Sequence, residues 1–208
     1  MKRIPKAAVA RLLNYLRFTE EAEREGEEFI TAQDIGEKMG INPHLVRRDF
    51  AYLGQFGERG KGYRVKNLKD SLRKIMKLDR IWEAVLVGVG NLGSALLRYP
   101  GFLERGFRIR YAFDISPAKV GKKIGGVEIL PLKELDRVVQ REGIKIGIIT
   151  VPKESAGEIG EKLCKAGIQG IVNFAPLPLR LPPPIKVINV DLSLNLETVA
   201  FYLSQNVG

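Results

Sequence analysis

The spacing of apolar positions changes near residue 80. Before it they recur every three or four residues; after it they gather into short continuous runs separated by helical stretches. Residues 5 to about 25 set Val9, Leu12, Leu13, Leu16 and Ala22 on one helical face, with Arg11, Arg17 and the glutamates elsewhere. Thr31-Ala32-Gln33-Asp34 has the form of a capping box, with Asp in the place more often held by Glu. It opens a short helix through Ile35 and Met39 that Gly40 ends. Asn42 suits an N-cap and Pro43 the first helical position, so a third helix is predicted over about 43–53. On it Val46, Phe50 and Leu53 share one face and leave Arg47, Arg48 and Ala51 on the other. Residues 57–65 read as a β-hairpin, and 67–76 as a fourth helix with Leu68, Leu72 and Ile75 inward.

From 81 onward strand and helix signals alternate: a strand over 84–87, a helix over 92–97, a strand over 110–114, and a short strand or turn over 125–129. A helix over 132–141, a buried strand over 144–151 stopped by Pro152, a helix over 155–166 and a strand over 170–174 follow. Five prolines between 176 and 184 make an extended connector to a strand over 186–190 and a final amphipathic helix over 191–206, with Leu192, Leu196, Val199, Ala200 and Leu203. Such alternation is a parallel sheet with helices on its faces. The expected fold is α/β: an N-terminal winged-helix domain over 1–80, a Rossmann-type parallel-sheet domain over 81–190, and a C-terminal helix over 191–208. Composition alone suits that last helix equally to its own domain or to another subunit.

The run Gly88-Val89-Gly90-Asn91-Leu92-Gly93 stands where the first strand of the second half becomes a helix. In a dinucleotide-binding unit Gly88 permits the tight turn, Gly90 lets the backbone approach a pyrophosphate, and Gly93 lets helix and strand pack closely. A glycine motif of this form also arises by chance, as a structural turn without ligand. Here a buried-strand run precedes it, and an acid, Asp114, follows 21 positions after Gly93, where a carboxylate meets the adenine ribose. That carboxylate repels a 2′-phosphate, so NAD(H) is the expected cofactor. The loop at Val151 and Pro152 and the segment beginning at Asn173 are expected to face the same crevice.

The formal charge of +10 bears on partners through its placement. Residues 41–66 carry six Lys or Arg against two acids, whereas 19–28 hold six glutamates and one arginine. The second and third helices have helix-turn-helix spacing, which lays the latter in a major groove with Arg47 and Arg48 facing phosphates or guanine edges. His44 is expected beside a phosphate. The hairpin residues Arg59, Gly60, Lys61, Gly62 and Tyr63 form a wing for the backbone or minor groove. The competing reading of 1–80 is an all-helical protein-interaction module.

One cysteine, Cys164, excludes an intrachain disulfide framework and reads as a small buried apolar residue. No apolar run reaches the roughly 18 residues of a membrane span, and Met1 to Pro5 leads into an amphipathic helix without a signal-peptide core, so a cytoplasmic location is expected. No Cys/His cluster has metal spacing, and neither a metal nor a membrane partner is expected. The only histidine lies in the DNA-reading helix, and fewer than 20 residues follow the Rossmann unit. Hydride transfer would lack an acid and a substrate domain, which argues for a sensor. A small NAD-dependent oxidoreductase with an unrelated N-terminal domain, and a regulator binding a CoA-type nucleotide, are the alternatives.

The sequence resembles the Rex redox-sensing transcriptional repressors over nearly its whole length. The match rests on Ile4-Pro5, Arg11-Leu12 and Tyr15-Leu16-Arg17, on Val46 to Gly54, on Arg59-Gly60-Lys61-Gly62-Tyr63, and on the glycine run at Gly88. It continues through Phe113-Asp114-Ile115-Ser116-Pro117 with Lys119 and Gly121, Thr150-Val151-Pro152, and Asn173-Phe174-Ala175-Pro176. The resemblance implies a homodimer on a palindromic double-stranded operator, sensing of the NADH/NAD+ ratio, and a C-terminal helix swapped between subunits. It also implies release of DNA on NADH binding and adds Ile115 and Lys119 to the cofactor site. Tyr99 and Asp191 are expected near the nicotinamide pocket, with Asp191 exchanging partners between states and Arg17 as its candidate cation.

Overall fold

The computed structural model describes residues 4–54 and 57–205, so residues 1–3 and Asn206, part of the sequence-based readings above, lie outside the described residues. The chain divides into two compact units, Met1–Arg80 and Ile81–Gly208.

In the first unit, α1 (Lys6–Arg24) buries Leu12, Tyr15, Leu16, Thr19 and Ala22. Tyr15 and Thr19 complete the stripe although both are polar, because the Thr19 hydroxyl donates to the Tyr15 carbonyl at 2.7 Å. β1 (Phe29–Ile30) is a two-residue strand too short for a periodicity signal. α2 (Ala32–Met39) starts on the reciprocal box, with the Asp34 amide donating to Thr31 Oγ1 at 3.2 Å and the Thr31 amide to Asp34 Oδ2 at 2.7 Å. Gly40 ends it at φ +63°. α3 (Pro43–Phe50) is capped by Asn42 Oδ1, which accepts the His44 amide at 2.8 Å. The helix stops at Phe50, three residues before the spacing predicts, and Leu53 reaches the core from a turn closed by its amide on the Phe50 carbonyl. β2 (Gly57–Glu58) and β3 (Gly62–Arg64) form the hairpin, with β1 paired to the other edge of β3. α4 (Val65–Ile75) closes the core against α1 through Val65, Leu68 and Leu72.

The second unit is a seven-stranded sheet. Its first half comprises β4 (Trp82–Val87), α5 (Asn91–Arg98), the one-turn α6 (Gly101–Glu104), β5 (Phe107–Asp114), β6 (Lys123–Ile124) and β7 (Val127–Pro131). The second half adds α7 (Leu135–Glu142), β8 (Ile146–Ile149), α8 (Lys153–Ala166), β9 (Gly170–Asn173), β10 (Lys186–Asn189) and α9 (Leu192–Gln205). The spatial order is β10-β9-β8-β4-β5-β7-β6, parallel except for the β6–β7 hairpin. Because side chains alternate along a strand, Val85 and Val87 of β4 enter the core under α7 and α8, while Ala84 and Leu86 enter the core on the opposite face. Both faces are covered, which is why β4 reads as a continuous apolar run.

Candidate functional site

The sheet order reverses at β4, which has β5 on one side and β8 on the other, and open parallel sheets bind ligands at the carboxyl ends of the strands flanking such a point. There the chain leaves β4 through Gly88 at φ +98°, where a Cβ would lie 2.7 Å from Val151 Cγ1 and 2.8 Å from the Thr150 carbonyl. A Cβ on Gly93 would fall 2.1 Å from the Gly88 carbonyl oxygen. Both glycines are therefore required by the protein's own packing. Thr150 clamps the turn, its hydroxyl donating to the Gly88 carbonyl at 2.6 Å.

Asp114 holds the turn from the other side. Its Oδ2 accepts the Val89 amide at 2.7 Å and the Lys119 ammonium at 3.2 Å, and its Oδ1 accepts the Ser116 amide at 2.8 Å. Burial opposes its charge, but the Ser116 and Val89 amides and the Lys119 ammonium outweigh burial and hold the carboxyl below its ordinary value.

Gly90 differs from its two neighbours. A Cβ there would meet nothing within 4 Å among the described residues. It is the N-cap of α5, and no side chain caps that helix among the described residues. Gly88, Gly90, Asp114, Ile115, Lys119 and Val151 border a cavity of about 470 Å³, which Pro152 also lines. Ile115 is 81 % exposed beside the Asp114 carboxylate. Val89 and Gly93 are buried and Leu92 is half-buried, none of them lining that cavity, and Asn91 is exposed at the first position of α5.

Asn173 does not line that cavity. Fully buried at the end of β9, it donates to the Leu177 carbonyl at 2.8 Å and to Asn189 Oδ1 at 2.9 Å, while its Oδ1 accepts the Ala175 amide at 3.1 Å. Its amide shapes the loop that enters the proline-rich connector. Tyr99 and Asp191 line separate clefts of the second unit, and Arg17 is exposed on α1 of the first. Tyr99 packs edge to face on Phe102 at 5.1 Å, and Asp191 caps α9 by accepting the Ser193 amide at 2.9 Å and its hydroxyl at 2.7 Å. Those two bonds lower the Asp191 carboxyl from its ordinary range.

In the first unit Arg47 on α3 shares one cleft with Arg59, Gly60, Gly62 and Tyr63 of the hairpin. His44, Arg48 and Lys61 are exposed nearby in sequence, outside that cleft. Three rings fix the wing to α3 and to α1: Tyr63 meets Phe50 edge to face at 4.8 Å, and Phe50 meets Tyr15 at 5.3 Å. Lys61 and Arg64 lie over the Phe29 ring at 5.5 and 4.6 Å, and Arg64 pairs with Glu28 and Glu58. Two wing cations are thus seated on an aromatic face rather than left to wander.

Sequence reasoning passed over Arg11, Tyr15, Asp49, Phe29 and Thr150 as site residues. Asp49 is buried at 1 % exposure directly after Arg47 and Arg48 in α3, and it accepts from Arg11 and from the Tyr15 hydroxyl. The available signal was the Arg11 and Tyr15 pair at i, i+4 on α1 facing a lone acid among arginines. Among the described residues no group of three or more His, Cys, Asp or Glu could hold a metal ion, and no helix is long and apolar enough to cross a membrane. Cys164 is half-buried against the sheet core, and burial pushes its thiol up, as expected for a packing residue.

A winged helix followed by a Rossmann-type sheet with a glycine turn and a ribose-position acid defines a nucleotide-responsive DNA-binding regulator. The redox-sensing transcriptional repressor Rex of Desulfitobacterium hafniense is 47% identical over 206 residues, covering 99% of this chain and 96% of that protein. The chain belongs to the Rex family of redox-sensing transcriptional repressors, regulators rather than enzymes. Residues 3–51 match the family described as putative DNA-binding protein N-terminus, and 79–177 match the one described as CoA binding domain. Among solved structures, RSP, a Rex-family repressor, in complex with β-NAD+ and operator DNA matches at a TM-score of 0.93. It is 35% identical, over 99% of this chain and 95% of that one. RSP with β-NADH matches at 0.88 and 33% identity, over 99% and 97% of the two chains.

Proposed function

We propose that this chain is a homodimeric repressor that grips a palindromic operator and lets go when NADH binds at the Gly88–Gly93 turn. Residues 1–80 serve as the DNA-binding domain, 81–190 as the NAD(H)-binding domain and 191–208 as a helix exchanged with the partner subunit. The observation that carries the reading is the contrast among the three glycines: Gly88 and Gly93 are demanded by internal packing, while Gly90 has open space before it at the uncapped start of α5. A cradle that a Cβ would fill, at a helix N-terminus, fits a pyrophosphate. Asp114 and Ile115 then take the adenosine, with Val151 and Pro152 across the cavity and Asn173 shaping the loop beyond.

The CoA-type alternative fits less well, because the ribose of that nucleotide carries a 3′-phosphate, which would meet the Asp114 carboxylate. RSP was solved with β-NAD+ and operator DNA together and, separately, with β-NADH, which supports binding of both forms by a relative. His44, Arg47 and Arg48, with Arg59, Gly60, Lys61, Gly62 and Tyr63 of the wing, form the DNA surface. An operator-binding role carries a cytoplasmic location with it.

The homodimer is supported by α9. Among its described residues none is buried, and Leu196, Phe201, Tyr202 and Leu203 are all exposed. An apolar helix left uncovered by the described residues of its own chain calls for a partner surface. The two cofactor forms differ by a hydride, so only contacts with that ring can bias the dimer, and a near-complete switch needs about 5.5 kcal/mol of discrimination. An apolar nicotinamide pocket favours the neutral reduced ring, since an unpaired cation is costly to desolvate. Tyr99, Asp191 and Arg17 are the residues proposed to convert that preference into DNA release.

A gel shift against an inverted repeat, titrated separately with NADH and NAD+, tests the reading. Release at far lower NADH than NAD+ is expected; indifference to both would defeat it. Repeating the titration with Asp191→Ala should narrow the gap between the two forms, and an unchanged ratio would remove Asp191 from the switch.

A further inference from the structure

Lys119 and Asp114 form an ion pair on the wall of the cavity, with Lys119 Nζ 3.2 Å from Asp114 Oδ2. A carboxylate offers about four lone-pair positions. Three are occupied here, by the Val89 and Ser116 amides and by Lys119. The two amides belong to fixed backbone, and the Lys119 backbone is itself held by its amide on the Ser116 carbonyl at 3.0 Å. Only the Lys119 side chain, 41 % exposed, can leave Asp114 without unfolding the turn. Its ammonium is a mobile point charge on a flexible stem.

We propose that Lys119 is a latent receptor for a ribose 2′-phosphate, kept neutralised by Asp114, and that this pair sets how strictly the site prefers NAD(H) to NADP(H). The inference rests on the dinucleotide reading above. Asp114 alone would repel a 2′-phosphate strongly. Lys119 beside it cancels part of that charge and supplies the group to which a phosphate would bind once the carboxylate is gone. Removing Lys119 therefore sharpens the discrimination, and neutralising Asp114 while keeping Lys119 relaxes it. Asp114→Asn retains one acceptor for the turn amides, so the fold has a support in that variant.

The experiment titrates full-length wild type, Lys119→Gln, Lys119→Arg, Asp114→Asn and the Asp114→Asn/Lys119→Gln double variant with NADH and with NADPH. Reduced-nicotinamide fluorescence and thermal shift report binding. Asp114→Asn should gain at least about tenfold in NADPH affinity relative to wild type, and the double variant should lose that gain. Lys119→Gln alone should lower the NADPH-to-NADH affinity ratio about fivefold, with Lys119→Arg restoring it. A double variant that binds NADPH as well as Asp114→Asn does overturns the proposal. If Asp114→Asn fails to fold, an unchanged affinity ratio in Lys119→Gln overturns it instead. Absence of NADH binding by wild type would defeat the dinucleotide reading itself, a distinct result.

Discussion

Asp49 on α3 is held by both forks of the Arg11 guanidinium, with Nε 2.6 Å from Oδ2 and Nη2 2.9 Å from Oδ1. The two residues are 38 positions apart, so this contact fixes the rotation of α3 about its own axis against α1 and thereby aims Arg47 and Arg48 outward. Asp49 is almost fully buried, whereas the Arg11 side chain is 25 % exposed. Arg11→Ala leaves a buried carboxylate without its cation and should cost about 2–3 kcal/mol, less than a fully buried pair because water reaches Arg11. Denaturant unfolding measures it. A double-mutant cycle with Asp49→Asn should show strong coupling, and operator affinity should fall even at temperatures where Arg11→Ala remains folded.

Tyr15 completes that cluster, its hydroxyl donating to Asp49 Oδ2 at 3.0 Å. Burial, then the Asp49 carboxylate, pushes the phenol up to about 12. The sign follows from the protonated form being the one favoured in the folded state. The contribution is fully present below pH 10, the value of a free phenol, and is lost as pH rises through about 12. The stability difference between wild type and Tyr15→Phe should shrink over that interval by about 2 kcal/mol. A difference that stays flat would show that neither burial nor the bond to Asp49 raises the phenol.

Gly90 and Gly93 separate folding from binding within one motif. Gly93→Ala drives a methyl to 2.1 Å from the Gly88 carbonyl oxygen, and that atom is clamped by Thr150, so the turn must break. A loss of about 2 kcal/mol or more and a fall in Tm are expected. Gly90→Ala meets no protein atom within 4 Å. Its Tm without ligand should stay within about 2 °C of wild type, while NADH binding weakens at least about tenfold, since the methyl stands where the backbone is proposed to meet the pyrophosphate. Equal Tm losses in both variants would mean that Gly90 is structural too.

Local chemistry was legible in the sequence where it depends on neighbours in the chain. Asn42 before Pro43, the box at Thr31 and Asp34, and the glycine turn after an apolar strand each declare themselves within a few residues, and each is formed as read. The α/β class followed from the same local signals. Longer-range pairings left only faint marks. Asp49 was counted as an acid diluting a basic segment, and nothing near it in the chain names Arg11 as its partner. β1 is two residues long, below any period, yet it pairs with β3 and fixes the wing. Asn173 was expected at the crevice because it ends a strand there; the Asn189 side chain beside it in register turns its amide into the loop instead. The alternation that identifies a strand says which face a residue occupies and not which neighbour satisfies it.

Arg47 and Arg48 differ in setting, and their variants should differ accordingly. Arg47 shares a cleft with the wing residues Arg59 and Tyr63, whereas Arg48 stands outside it. Arg47→Ala should cost about 1–3 kcal/mol of operator affinity and relax sequence preference, as loss of a base contact does. Arg48→Ala, read as a phosphate contact, should weaken binding evenly across sequences and reduce the salt dependence by about one unit of slope. Binding measured over a salt series on operator and scrambled duplexes distinguishes them, and identical profiles would show that the two arginines play one role.

The C-terminal helix offers the sharpest test of the proposed dimer. Leu196 is 74 % exposed and Phe201 58 % exposed on a helix with no buried residue among those described, so charge placed there disturbs no packing within the chain. Leu196→Asp/Phe201→Asp should therefore leave the chain folded while removing the surface through which a second copy would bind. Light scattering should show wild type at twice the mass of one chain and the variant as single chains. With only one half-site engaged at a time, operator affinity should fall at least about 100-fold. Each single chain should keep its glycine turn and its reading helix, so residual weak DNA binding that no longer responds to NADH is expected. A variant that remains dimeric, or that releases operator normally on NADH addition, would show that α9 is not the element linking the subunits.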